Sequence, residues 1–123
     1  MKPYIQTFTA VAGGTACNAH CPFCISKQTP NCGVPVKPPE INVRNLGIGM
    51  DIAKGCGAFT ALISSKGEAT LFPENLTDFI REATECYSLV ELQTNGIRLM
   101  EEEFCDAMYD TCHGKVKCGD SYL

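Results

Sequence analysis

A chain of 123 residues has room for one domain around a single core, since a globule of this size buries roughly two-thirds of its unfolded surface. Its net charge of -4 offers no basic footprint for nucleic acid or an anionic membrane. No apolar run approaches the roughly 20 residues of a membrane span, and Met1-Lys2-Pro3 leads into no signal-peptide core. These exclusions predict a cytoplasmic address, where nine cysteines are expected as thiols or metal ligands rather than as a disulfide framework.

Tyr4 to Val11 alternates and is rich in β-branched and aromatic residues, which predicts a first strand. Gly13-Gly14 then lets the backbone turn into a loop over residues 12–40 that carries Cys17-Asn18-Ala19-His20-Cys21-Pro22-Phe23-Cys24. Between Ser26 and Pro39, four prolines and a glycine predict irregular backbone. From Ile41 to Lys54, Val43, Leu46, Met50 and Ala53 fall at helical spacing, and Gly55-Cys56-Gly57 supplies the stop. Ala58 to Ser64 is a short apolar run, expected as a strand covered on both faces.

Asn75 is expected to cap the next helix, with Asp78 three residues on as a capping box and Leu76, Phe79, Ile80 and Ala83 as its buried stripe. Leu89 to Thr94 predicts a third strand, Asn95-Gly96 a turn, and Leu99 or Met100 to Thr111 a third helix with Phe104, Ala107 and Met108 inward. Met50, Met100 and Met108 fall on core spacing, and Glu101, Glu102 and Glu103 suit the solvated first turn of a helix. The tail, residues 112–123, offers one more strand start at Val116.

Strand and helix alternating three times predict an α/β domain with about three parallel strands and three helices. Ligands of such sheets bind beyond the carboxyl ends of the strands. The cysteine loop follows the first strand, Ser64-Ser65-Lys66-Gly67-Glu68 the second and Gln93-Thr94-Asn95-Gly96 the third, so all three motifs are expected on one edge.

Cys17, Cys21 and Cys24 are separated by three residues and then two, which lets one loop wrap three soft thiolates around a single inorganic centre. This order, with aromatic Phe23 before the last cysteine, resembles the signature of the radical S-adenosylmethionine (radical SAM) superfamily. The resemblance implies a 4Fe-4S cluster on Cys17, Cys21 and Cys24, with the fourth iron left open to chelate the amino and carboxylate groups of SAM. One electron would then cleave SAM to methionine and a 5'-deoxyadenosyl radical that abstracts hydrogen from a substrate. Phe23 matches the position that lies near the adenine. A low-potential flavodoxin or ferredoxin is the implied electron donor.

Ser65-Lys66-Gly67-Glu68 resembles the superfamily's Gly-Gly-Glu motif, which implies that Gly67 and Glu68 belong to the SAM site and that Glu68 receives the methionyl ammonium. Lys66 stands where the first glycine usually lies and Ala69 where a proline often follows. Lys66 is read either as a partner of the SAM carboxylate or as a solvated lysine. Thr94-Asn95-Gly96 matches a Thr-Asn-Gly often seen after the third strand, which implies contact of Thr94 with SAM or substrate; by itself the tripeptide is a common turn.

Two other readings of the cysteines stay open. A structural zinc site would need a fourth ligand from His20, Cys32 or His113, and an electron-transfer iron-sulfur protein would need one from Cys32. The remaining thiols, Cys56, Cys86, Cys105, Cys112 and Cys118, are scattered without C-x-x-C pairing and are expected for the most part as small core or surface residues, since a free cysteine packs like a small hydrophobe. The resemblance covers about residues 4–110, which matches the amino-terminal half of a partial (βα) barrel. The expectation is therefore a fragment, or a short relative that assembles with another chain, binding cluster and SAM but too short to be active alone; its substrate is unknown.

Overall fold

The computed structural model describes residues 4–112, 116–118 and 121–122. Strands β1 (Thr7–Val11), β2 (Thr60–Ser64), β3 (Leu89–Leu92) and β4 (Val116–Cys118) lie side by side in chain order and run parallel. A short β5 (Ser121–Tyr122) pairs antiparallel with β4. Between them come helices α1 (Ile25–Gln28), α2 (Val43–Gly55), α3 (Pro73–Cys86) and α4 (Glu102–Cys112), with 3-10 turns at Ala69–Leu71 and Ile97–Met100. The chain is thus an α/β fold of successive strand-helix units, with the three parallel strands read from the sequence extended by the one beginning at Val116. His113, named above as a possible ligand, lies outside the described residues.

The period-two alternation of the strands sets which face is covered. Ala10, Ala61, Ile63, Val90, Leu92 and Val116 are buried beneath the helices, whereas Thr7, Thr9, Val11 and Glu91 are exposed on the other face. β2 is therefore covered on one face only: Leu62 is half-buried between Thr9 and Glu91, because α2, α3 and α4 pack on a single side. The alanines of the strands let α2 and α3 approach closely, and Met50, Leu76, Ile80 and Met108 fill the layer between. Tyr87 stacks on Phe8 with centroids 6.3 Å apart and donates its hydroxyl to the Met50 carbonyl at 2.6 Å. That bond joins the end of α3 to α2.

Several boundaries differ from the sequence reading for identifiable reasons. Pro73, with its φ preset for a first helical turn, starts α3 two residues before Asn75, so neither Asn75 nor Asp78 forms a capping box. The Asn75 side chain instead accepts the Gly13 N–H at 2.9 Å, and Asp78 pairs with Arg81 at 3.2 Å. α2 is capped by Asn42, which accepts from the Asn45 N–H. Residues 26–28, expected as irregular, form the single turn of α1. In the last unit Ile97–Met100 forms a separate turn, which leaves Met100 84% exposed, and Ala107 lies on the solvent side of α4 while Phe104, Met108 and Cys112 face inward.

Candidate functional site at the carboxyl edge of the sheet

In-register parallel pairing brings the exits of the first three strands together: Val11 lies opposite Ser64, and Ile63 opposite Leu92. Ala12 N–H continues the ladder onto Ser64 O at 2.7 Å and Gln93 N–H onto Ile63 O at 2.9 Å. The three loops carrying the sequence motifs therefore leave the sheet at one edge.

The cysteine loop is closed at its base by backbone. Thr15 and Ala16 donate their N–H groups to Pro35 O (2.9 Å) and Val36 O (3.2 Å), while Gly14 O and Ala16 O accept from Gly67 N (2.9 Å) and Glu68 N (2.9 Å). Segment 14–16 is thus a middle ply between the far end of its own loop and the loop after β2. Such close layering leaves no room for side chains. A Cβ on Gly14 would stand 2.2 Å from Val36 O, and one on Gly67 would stand 2.1 Å from Ala16 O. The glycine of the second motif is needed for this backbone approach to Ala16.

Above that base, Cys17, Cys21 and Cys24 line one cavity of about 560 Å³ together with Thr15, Ser65, Lys66 and Gly67. Cys24 N–H bonds to Cys21 O at 3.3 Å and Lys27 N–H to Cys24 O at 3.1 Å, so the Cys-x-x-Cys segment turns directly into α1. The Cys24 side chain takes no part in capping that helix, which leaves its sulfur to the cavity. Among the described residues, no Asp or Glu lines the cavity, nor do His20 and Cys32; both of the latter are exposed. As the described residues stand, no group of three or more His, Cys, Asp or Glu side chains could hold a metal ion.

Glu68 lies behind this cavity rather than in its wall and is only 3% exposed. Its Oε1 accepts from Thr70 N (3.2 Å), Thr70 Oγ1 (2.7 Å) and Thr94 Oγ1 (2.6 Å), and its Oε2 from Asn95 N (2.8 Å). A buried carboxylate is tolerated because it is surrounded by donors, and bonds to an ionised acceptor are about twice as strong as neutral ones. Thr94 and Glu68, read from separate motifs, are thereby brought into direct contact. Phe23 is 80% exposed and does not line the cavity.

Asn95 does more than turn the chain, which sequence reasoning missed. Its Nδ2 donates to Asn18 Oδ1 at 2.8 Å and stands 4.0 Å from the Cys17 sulfur, while its Oδ1 accepts from Ile97 N at 3.1 Å. The loop after β3 is thus tied both to Glu68 and to the residue next to the first cysteine. Its signal in the sequence was the Thr-Asn-Gly itself, which reads equally well as a strand exit. Arg98 extends the set: it donates to Thr70 O at 3.2 Å, pairs with Glu101 at 2.8 Å and stacks over Phe104.

A second cavity of about 530 Å³, lined by residues 37–41 and 71–75 with Asp78, contains none of the motif side chains. No protein-family model matches the chain, and no curated protein matches it either.

Proposed function

We propose that this chain is a radical SAM protein that binds a 4Fe-4S cluster through Cys17, Cys21 and Cys24 and takes SAM at the same edge of the sheet. The observation that supports it most is the donor set: three thiol-bearing residues on one cavity wall, with no fourth His, Cys, Asp or Glu among the described residues of the lining. A closed zinc site wants four protein ligands. Three thiolates suit a four-iron core that keeps one iron for an exogenous ligand.

When bound, the cluster would supply the single electron that breaks a carbon-sulfur bond of SAM. The chain's own residues hold and orient. The Gly14–Ala16 ply fixes the Cys17 end of the loop against Gly67 and Glu68. Glu68 holds the loop after β3 in place through Thr94 and Asn95 from its buried position behind the cavity. Among the described residues no helix is long and apolar enough to cross a membrane. We place the protein in the cytoplasm, with a flavodoxin- or ferredoxin-type electron donor.

Anaerobic reconstitution with iron and sulfide tests the reading. The expected product is a brown, oxygen-sensitive protein whose reduced electron-spin spectrum changes when SAM is added, and Cys21→Ala abolishes the colour. A colourless protein with stoichiometric zinc would refute it. So would an iron-sulfur spectrum that Cys32→Ala removes and SAM leaves untouched.

A further inference from the structure

Lys66 occupies the place where the resembling motif has a glycine, and the structure gives it an unusual neighbour. Its Nζ donates to Thr29 Oγ1 at 2.7 Å and approaches Thr29 O at 3.4 Å, across 37 positions of sequence. Thr29 ends α1, and its hydroxyl is directed back to Ile25 O (3.1 Å) and Ser26 O (3.4 Å). The ammonium therefore reaches the carboxyl end of the one helical turn that follows Cys24. A cation is favourable there, because unsatisfied carbonyls concentrate negative charge. A turn of four residues is far too short to hold itself together, so its shape depends on such outside contacts.

The cavity gives this contact a second meaning. Lys66, Thr29 and the three cysteines all line it, and so does Lys27; among the described residues no carboxylate does. The ion pairs among the described residues are Arg81–Asp78 and Arg98–Glu101, so neither lysine is neutralised by an acid there. In a chain of net charge -4, this wall carries a local excess of positive charge.

We infer that Lys66 is a positioning residue with two effects: it straps the Cys24 end of the cysteine loop to the loop after β2, and it fixes a positive charge on the cavity wall that makes a bound cluster easier to reduce. The base of the loop already secures the Cys17 end through Gly14–Ala16. Without the strap, backbone hydrogen bonds between the loop and the second motif exist only at that base. The electrostatic effect follows from Coulomb's law. One-electron reduction adds a negative charge, and a nearby cation stabilises it.

The strap is independent of the functional reading, whereas the redox effect rests on it, and the experiment separates the two. Amide hydrogen exchange on the metal-free chain compares wild type with Lys66→Met, Lys66→Arg and Thr29→Val. Lys66→Met is expected to speed exchange at the Cys24 and Lys27 amides by roughly fivefold to tenfold, with Ile63 in the core unchanged. Lys66→Arg should retain most of the protection. The double variant Lys66→Met/Thr29→Val should exchange less than the product of the single effects predicts. Equal protection in wild type and Lys66→Met, or strictly multiplicative effects in the double variant, overturns the strap.

Redox titration of the reconstituted proteins then reads the charge. Lys66→Met should lower the equilibrium constant for one-electron reduction by about tenfold, a shift of about 59 mV, and Lys66→Arg should restore it. Identical midpoints for wild type and Lys66→Met overturn the redox effect. If the wild-type chain takes up no cluster, the proposed function and the redox effect fall together, while the exchange comparison still decides the strap.

Discussion

Replacing Glu68 by Gln tests whether this carboxylate organises the apoprotein. The side chain keeps its size, but one of two acceptor oxygens becomes an NH2 donor. If the amide nitrogen takes the Oε2 position, it faces the Asn95 N–H, now 2.8 Å from an acceptor; in the Oε1 position it faces the Thr70 N–H. The Thr70 and Thr94 hydroxyls can rotate to accept, but a backbone N–H cannot. Either orientation therefore leaves one N–H unpaired, the buried one of Thr70 or the part-buried one of Asn95, at about 1–3 kcal/mol, and removes the charge assistance from the remaining bonds. A total near 3 kcal/mol is expected, a large part of the 5–15 kcal/mol that holds a typical domain together.

Urea denaturation of the metal-free protein measures this. With a slope of about 2 kcal/mol/M, the midpoint should fall by about 1.5 M at unchanged slope. If Glu68 acted only as a contact for a ligand's ammonium, the same substitution would leave apoprotein stability untouched. A midpoint shift below about 0.25 M, which corresponds to under 0.5 kcal/mol on the same slope, would therefore refute the reasoning from its donor shell.

Gly67→Ala should push Ala16 away from the loop after β2 and cost about 3 kcal/mol or more, read as a fall in Tm, with reconstituted iron content dropping as well. Ile80→Ala, at a fully buried position of α3, should cost about 2–5 kcal/mol by calorimetry without altering the β3 loop, so iron uptake at low temperature persists. The Tyr87 hydroxyl is pushed up to about 12, first by burial and then by Cys86 and Asp51, and burial raises the neighbouring Cys86 thiol too. The folded state thus keeps the Tyr87 proton after the unfolded chain has lost it. Its contribution is complete below the unfolded pKa of about 10 and disappears as pH rises to about 12, giving a decline of about 2–3 kcal/mol. Tyr87→Phe should flatten that alkaline decline in a pH series of urea midpoints; an unchanged slope would assign it elsewhere.

The strand-helix alternation was legible because each strand has the period-two or apolar run its burial requires, and each major helix shows part of its expected stripe buried, with Val43 of α2 and Ala107 of α4 exposed instead. Leu76, Ile80 and Ala83 were readable for this reason. Single-sided coverage of β2 was not, since Leu62 looks the same whether a helix or solvent lies over it. The capping role assigned to Asn75 failed because two signals competed: Pro73 started the helix earlier, and the freed amide found Gly13 across the fold. Of the site, the meeting of the three motifs on one edge follows from parallel topology. The partners of Glu68, Asn95 and Lys66 depend on loop geometry, and a single sequence does not encode which donor across a loop wins a carboxylate.

The layered base under the cysteine loop bears on how easily a metal centre assembles. Bringing two ends of a flexible segment together carries an entropic cost that grows with the logarithm of its length. Here residues 14–16 and 35–36 meet that condition in the chain by itself, because Pro35 O and Val36 O are already bonded. On the proposed reading, incoming iron would have only a tethered arc to arrange rather than a free coil to gather. Lengthening the Pro-rich return between Pro30 and Pro35 should consequently disturb assembly far less than breaking the amide bonds at its foot.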